Sequence, residues 1–264
     1  MRENRMKRLW HDGRPALGGW LTIPSSLSAE VFAHAGFDWL CIDMQHGAID
    51  YADAVHLLQA ISTTATTPVV RVPWNEPGII MKALDAGAMG VIVPMVNSPA
   101  EAEAAVAACR YAPRGSRSYG PVRAVYYAGR DYFARADQEV ACIVMIETKQ
   151  ALAAVDDILA VPGVDAAYVG PADLSVSLGL SPASDHDDPA FTEAIDRVLA
   201  ACRRQRVVPG AHGGNVATAR KRIEQGFLMV EMCDDAKALA RTAAADLRAV
   251  RGEQAAGTPR RRRL

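Results

Sequence analysis

Several features that would assign a function directly are missing from this sequence. It has no basic excess: 29 Lys and Arg stand against 30 Asp and Glu, a formal net charge of −1. A protein that neutralises many phosphates carries such an excess, so nucleic acid is not expected as a partner. No segment approaches the roughly 20 consecutive apolar residues of a membrane span, so no membrane helix is expected. There is no C-x-x-C pair, and the five cysteines, Cys41, Cys109, Cys142, Cys202 and Cys233, are an odd number. Cys41, Cys142 and Cys233 lie in or beside apolar runs and read as buried free thiols, not as a zinc site or a catalytic cysteine. The charged N-terminal stretch is not followed by a signal-peptide core, so a cytoplasmic protein is expected. No short repeat is present, and the only biased segment is the end of the chain. There Arg260-Arg261-Arg262-Arg263 follows Gly257-Thr258-Pro259 and reads as a flexible basic tail over residues 257–264.

What is present is an alternation. The 264 residues are half apolar, enough for a full core. Length alone allows two domains of roughly 150 residues or one α/β barrel of about 250. Strand-like apolar runs occur at residues 17–23, 39–43, 69–72, 90–94, 142–147, 166–169, 207–210 and 227–232. Most are continuous, as parallel strands buried on both faces require. Helical patterns lie between them. Ser28 is expected to cap residues 29–35, which stop at Gly36. Residues 51–63 place Ala54, Leu57, Leu58 and Ile61 on one face. Further helices are expected at 77–86, 100–109, 151–159, 190–205, 216–225 (capped by Asn215) and 236–250. The pattern predicts a single (β/α)8 TIM barrel over residues 1–256. Two connections break the rhythm, residues 111–140 and 178–188, and long connections in a compact domain are commonly functional or mobile.

In such a barrel the strand C-terminal ends carry the active site. Glu147 ends Val144-Met145-Ile146-Glu147, and Asp173 follows Gly170-Pro171-Ala172 after the next strand. Each acid alone reads as a solvated loop residue or an arginine partner. Together, on successive strands, they offer the hard oxygen ligands that magnesium or manganese prefers. Asp43-Met44-Gln45-His46-Gly47 ends the second strand. His46 is either a loop-capping histidine or a proton carrier whose tautomer Asp43 fixes. Arg71 ends the third strand, where a guanidinium must be paired or must face the cavity. Asp85 is one candidate partner; a substrate carboxylate or a developing enolate oxygen is the other use. The amides of Ala172 and Asp173 can receive a carboxylate if the turn aims them inward. Trp20 and Trp74 either line a pocket or pack the rim. His212 is open between a strand-end ligand and a turn residue. His34, His56 and His186 read as structural. Arg117, Arg123 and Tyr126, in the long connection, either meet a distal substrate group or are solvated, with solvation the expected reading, and Lys149 reads as helix-entry surface.

The order of these stretches resembles the HpcH/HpaI aldolase family, pyruvate-dependent class II aldolases related to 4-hydroxy-2-oxoheptane-1,7-dioate aldolase. The resemblance runs from about Leu17 to Met232. It rests on Ala35-Gly36-Phe37-Asp38-Trp39 leading into Asp43–Gly47, Leu84-Asp85-Ala86-Gly87-Ala88, Gly90-Val91-Ile92-Val93-Pro94, Ile146-Glu147-Thr148 and Gly170-Pro171-Ala172-Asp173-Leu174-Ser175. It implies that Glu147 and Asp173 bind Mg2+, Mn2+ or Co2+, and that a 2-oxo acid is held there through its carboxylate and ketone oxygens. It implies that His46 with Asp43 governs proton transfer, that Arg71 steadies the enolate, and that Asp85 is a nearby helper. Gly170, Pro171, Ala172, Asp173, Arg71 and Trp20 are then the substrate-binding set. The implied reaction is reversible cleavage of a 4-hydroxy-2-oxo acid to pyruvate, or a related 2-oxo acid, plus an aldehyde. The implied assembly is a homohexamer, a trimer of dimers in which the last helix is exchanged. The chain departs from the family pattern at Gln45, Met145 and Arg117-Ser118. Two alternatives on the same scaffold are a lyase for acyl-CoA thioesters and a decarboxylating C–C bond-forming enzyme. A third, of another class, is a non-catalytic ligand-binding or assembly barrel.

Overall fold

The computed structural model describes residues 1–253, so the basic tail expected over 257–264 lies outside the described residues. Eight short apolar segments pair in parallel and in chain order: β1 (Ala16–Leu21), β2 (Trp39–Asp43), β3 (Thr67–Arg71), β4 (Gly90–Val93), β5 (Ala141–Ile146), β6 (Ala166–Val169), β7 (Val208–His212) and β8 (Met229–Asp234). Pairing of β1 with β8, Ala16 opposite Met229, closes the ring. Every residue of β2 through β6 is buried. That explains their unbroken apolar character: one face meets the barrel interior and the other meets the helices. The protein is the (β/α)8 barrel its sequence predicts.

The interior holds Trp20, Trp39, Cys41, Val69, Ile92, Ile143, Met145, Tyr168 and Met229. Large rings fill the tube because glycine yields room: a methyl on Gly18 would overlap the Trp39 indole. The outer shell packs Leu40, Ile42, Val70, Val91, Val144 and Val169 against helix residues such as Leu57, Leu84 and Val198.

Some expectations need correction. A helix at Arg5–His11 was not anticipated; its Met6, Leu9 and Trp10 join the barrel-interior cluster. The three follow an i, i+3, i+4 spacing, but four basic residues among seven hid it. The cap of Ser26–His34 is Ser25, whose side chain accepts from the Ser28 N–H, so Ser28 is the third helical residue and not the cap. The helix expected at 151–159 is two short pieces, Lys149–Ala153 and Val155–Leu159. The connection 111–140 contains helices Ala124–Ala128 and Tyr132–Glu139. Gly170-Pro171-Ala172-Asp173 is a helix entry, Pro171–Leu178. The last two strands run on to His212 and Asp234, beyond the expected ends at 210 and 232.

Candidate active site

At the C-terminal rim, β2 and β3 run side by side with Asp43 opposite Arg71. Both side chains are buried, so neither charge tolerates being alone. They meet in a two-point ion pair: Arg71 Nε donates to Asp43 Oδ1 at 2.8 Å and Nη2 to Oδ2 at 2.6 Å. Trp20 Nε1 donates to Asp43 Oδ2 at 3.1 Å, and the Arg71 guanidinium lies 5.0 Å from the Trp20 ring centre. Burial alone would raise the Asp43 carboxyl, but Arg71 and these donors hold it below its ordinary value. The Asp43 side chain also accepts from the backbone N–H groups of Gln45 and His46. The next turn is tight; a methyl on Gly47 would overlap the Asp43 carbonyl. This corrects two expectations. Asp43 does not bond the His46 ring, which is exposed at the pocket edge, and Arg71 pairs with Asp43, not with Asp85.

Across the pocket, Glu147 follows β5 directly and is 1% exposed. Its Oε1 accepts from the Met95 N–H at 2.8 Å. Met95 is a non-glycine residue at φ 55, so backbone strain is spent aiming that donor. Gly170 leaves room for both side chains: a methyl there would overlap the Glu147 carboxylate and press on Met145, so either would have to move. Asp173 stands in the first turn of the helix Pro171–Leu178, exposed toward the pocket with Ala172. That first turn leaves N–H groups without helical partners, a favourable end for a carboxylate. Burial, then the neighbouring Asp173 charge, pushes Glu147 up to about 7, against the Met95 N–H and Arg71. No lysine or arginine forms an ion pair with either acid among the described residues. Two adjacent acids in this state call for a cation.

The described residues contain no group of three or more His, Cys, Asp or Glu grouped to hold a metal. A cation would therefore rest on two carboxylates, with its other positions left to water and substrate oxygens, as magnesium commonly allows. The donor set fits such an ion.

Trp20, His46, Arg71, Glu147, Asp173 and the Gly170–Ala172 turn all line one cavity of about 320 Å³. Asp85 is not among them. Its carboxylate accepts from Arg117 Nη2 at 2.6 Å, and it lines a separate depression with Tyr51, Lys82 and Arg123. Arg117 is buried and bonds the Tyr132 hydroxyl, which corrects its reading as solvated. Arg123 is likewise engaged, donating to the carbonyls of Ala86 and Leu58. Tyr126 is exposed as expected. Sequence reasoning missed Met95, Ser184, Glu231 and Lys237, and left His212 open. Ser184, His212 and Lys237 line the cavity; Glu231 lies behind His212, 3.4 Å from its Nε2.

A family model described as HpcH/HpaI aldolase/citrate lyase matches residues 17–251. The chain belongs to that family. Its relatives in the HpcH/HpaI family match almost end to end. A hydroxypyruvate/pyruvate aldolase of Rhizorhabdus wittichii is 41% identical over 254 residues, 94% of this chain and 100% of the relative. A 4-hydroxy-2-oxo-heptane-1,7-dioate aldolase of Escherichia coli is 40% identical over 248 residues, 92% and 93% of the two chains. The crystal structure of an HpcH/HpaI family protein from Burkholderia cenocepacia J2315 superposes with a TM-score of 0.87 at 39% identity, covering 93% of this chain and 98% of the other. As a member of this family, whose enzymes are divalent-metal-dependent, the chain is an aldolase.

Proposed function

We propose that this aldolase cleaves 4-hydroxy-2-oxo acids to pyruvate, or a related 2-oxo acid, and an aldehyde, and runs the reverse addition. The observation that carries this reading is the Glu147–Asp173 pair, two acids that form no ion pair with lysine or arginine among the described residues and that line one cavity with Arg71 and His46. Glu147 and Asp173 would hold the cation, Mg2+, Mn2+ or Co2+. Once bound, it withdraws charge from the 2-oxo group and lowers the cost of an enolate. The relatives' substrates, hydroxypyruvate or pyruvate in one and a 4-hydroxy-2-oxo dioate in the other, fit the same donor chemistry.

The chain's own groups do the rest. The N–H groups of Ala172 and Asp173 receive the donor carboxylate at the helix entry. Cleavage removes a proton from the 4-hydroxyl, breaks the C3–C4 bond and leaves the electron pair in the enolate. Arg71 faces the growing negative charge, and Asp43 and Trp20 keep its guanidinium from rotating away. His46, at the pocket edge, takes the hydroxyl proton and returns one to C3. Trp20 and Met145 add apolar surface to the cavity lining. Lys149 opens a helix at the surface, outside the cavity lining, so the scheme uses no lysine imine.

In the assembly we propose a homohexamer, a trimer of dimers with the last helix exchanged. That helix, Asp235–Arg251, buries only Asp235 of its own residues and exposes Leu239, Leu247 and Val250. A cytoplasmic location suits five free cysteines. No helix among the described residues is long and apolar enough to cross a membrane.

The test is pyruvate release from a 4-hydroxy-2-oxo acid, followed with a pyruvate-consuming dehydrogenase. Metal-loaded wild type is expected to turn over, and the metal-stripped protein and Glu147→Ala to lose at least roughly 100-fold in kcat/KM. Full activity of Glu147→Ala without metal would overturn the proposal.

A further inference from the structure

The connection between the helices Pro171–Leu178 and Pro189–Gln205 contains no helix or strand, yet its Pro182, Ala183 and Ser184 line the cavity. A segment of this kind is mobile unless other contacts tie it down. Here Asp185 does so. Its Oδ1 accepts from Arg222 Nη2 at 2.7 Å, and its Oδ2 from Lys221 Nζ at 2.5 Å. Both bases belong to the helix Val216–Gln225, which follows β7. The loop after β6 is thus clamped to the helix after β7. The His186 ring adds a contact with the Phe191 ring at 5.3 Å, and its Nε2 lies 2.8 Å from the Ser181 carbonyl oxygen.

The two halves of the clamp are unequal. Lys221 is a surface base, and its ion pair contributes little. Arg222 is only 2% exposed; it donates to Gln225 Oε1 at 2.8 Å and lies 5.9 Å from the Phe191 ring centre. Asp185 is the acid paired with it among the described residues. A buried guanidinium without a counter-charge is costly, so Arg222 holds Asp185 where an exposed pair would not. Burial alone would raise the Asp185 carboxyl, but Lys221 and Arg222 hold it below its ordinary value. Asp185 adjoins Ser184 in the chain, so the anchor carries directly to the cavity wall. Ser184 in turn abuts the β7 turn, where a methyl on Gly214 would overlap its hydroxyl oxygen.

We propose that Asp185, clamped by Arg222 and Lys221, fixes the Pro182–Ser184 wall and thereby limits the size of the aldehyde half of the substrate. This rests on the aldolase reading of the same cavity. In that reading the donor's oxygens go to the cation site, Arg71 and the helix entry at Ala172 and Asp173, none of which belongs to this loop. Glu147 and Arg71 are buried, whereas Pro182 is exposed and Ala183 and Ser184 are half-buried. The wall therefore stands at the mouth of the cavity, where the substrate extends beyond the donor. It carries no charge, so it selects by shape. Asp185 does not line the cavity; it acts through the wall and is a positioning residue.

The test gives the magnesium-loaded protein excess pyruvate with equimolar acetaldehyde and benzaldehyde and separates the two 4-hydroxy-2-oxo acid products. In each addition pyruvate loses a C3 proton, C3 bonds the aldehyde carbon, and the new alkoxide takes up a proton. Competition makes the product ratio a ratio of kcat/KM values. Asp185→Asn is expected to shift that ratio toward the benzaldehyde product by roughly tenfold, the scale on which pocket fit discriminates. Exchange of the pyruvate methyl protons in deuterated water is expected to stay within about twofold of wild type, because the donor groups are untouched. Asp185→Glu keeps the charge and is expected to restore most of the wild-type ratio. Asp185→Asn with Arg222→Met removes the buried charge as well and serves if the single variant does not fold. Ala183→Leu thickens the wall and is expected to move the ratio the other way. A ratio unchanged in the Asp185 variants, or exchange and both additions falling in step, would overturn the inference while leaving the aldolase intact. Wild type that adds neither aldehyde would overturn the aldolase reading, and this inference with it.

Discussion

Asp43 sets the position of Arg71 and is in turn set by five donors, two from Arg71 and one each from Trp20, Gln45 and His46. Removing it leaves a buried guanidinium with no counter-charge. Asp43→Ala is expected to lose roughly 3–5 kcal/mol of stability, read by urea unfolding at neutral pH. Because its folded value lies below the ordinary 3.8, Asp43 contributes stability that is present above pH 3.8 and is lost as pH falls through the lower, folded value. Glu231 has the opposite sign. Burial pushes it from 4.5 up to about 7, so the folded chain holds a proton that the unfolded chain has released. Its penalty is absent below about pH 4.5, grows between 4.5 and 7, and is constant above that. Glu231→Gln is accordingly expected to stabilise the protein at pH 8, by at most about 3 kcal/mol, and hardly at all at pH 4.5. Equal effects at the two pH values, in thermal melts, would contradict this.

At the scale of elements, the site is built at junctions where a strand stops and a turn begins. Glycine decides the most crowded of them. Gly170→Ala, between β6 and its helix, is expected to displace the Glu147 carboxylate and lower aldol cleavage by at least roughly tenfold, with the far-ultraviolet circular dichroism unchanged. That Glu147, Asp173, Arg71 and His46 share one cavity could be read from the sequence because each lies at or just past the end of an apolar run. His212 and Glu231 were harder to read for the same reason inverted. Near the rim the interior-facing positions of β7 and β8 turn polar to line the pocket. The apolar pattern therefore stops before the strand does, and the expected ends fell at 210 and 232 in place of His212 and Asp234. Arg117 and Asp85 were misplaced because a charge in a long connection looks solvated until tertiary contacts bury it. Nothing local in the sequence marks the Tyr132 hydroxyl that receives Arg117.

The whole molecule was legible as a barrel because both faces of its strands are covered, which leaves a run of apolar residues per strand and a helix period between. What the single chain does not display is its assembly. The last helix presents Leu239, Leu247 and Val250 outward, and charges there should weaken subunit contact. If the proposed hexamer forms through this helix, Leu239→Asp with Leu247→Asp is expected to give smaller species than wild type in light scattering; an unchanged mass would remove that helix from the interface. The central claim concerns chemistry, and one measurement addresses it before any aldehyde is known. Metal-stripped protein is incubated with pyruvate in deuterated water, with and without added magnesium, manganese or cobalt, and the methyl signal is followed by proton NMR. Metal-dependent loss of that signal beyond a protein-free metal control is the predicted result, because it reports enolate formation at the Glu147–Asp173 site. A methyl signal that persists with every metal would contradict the account.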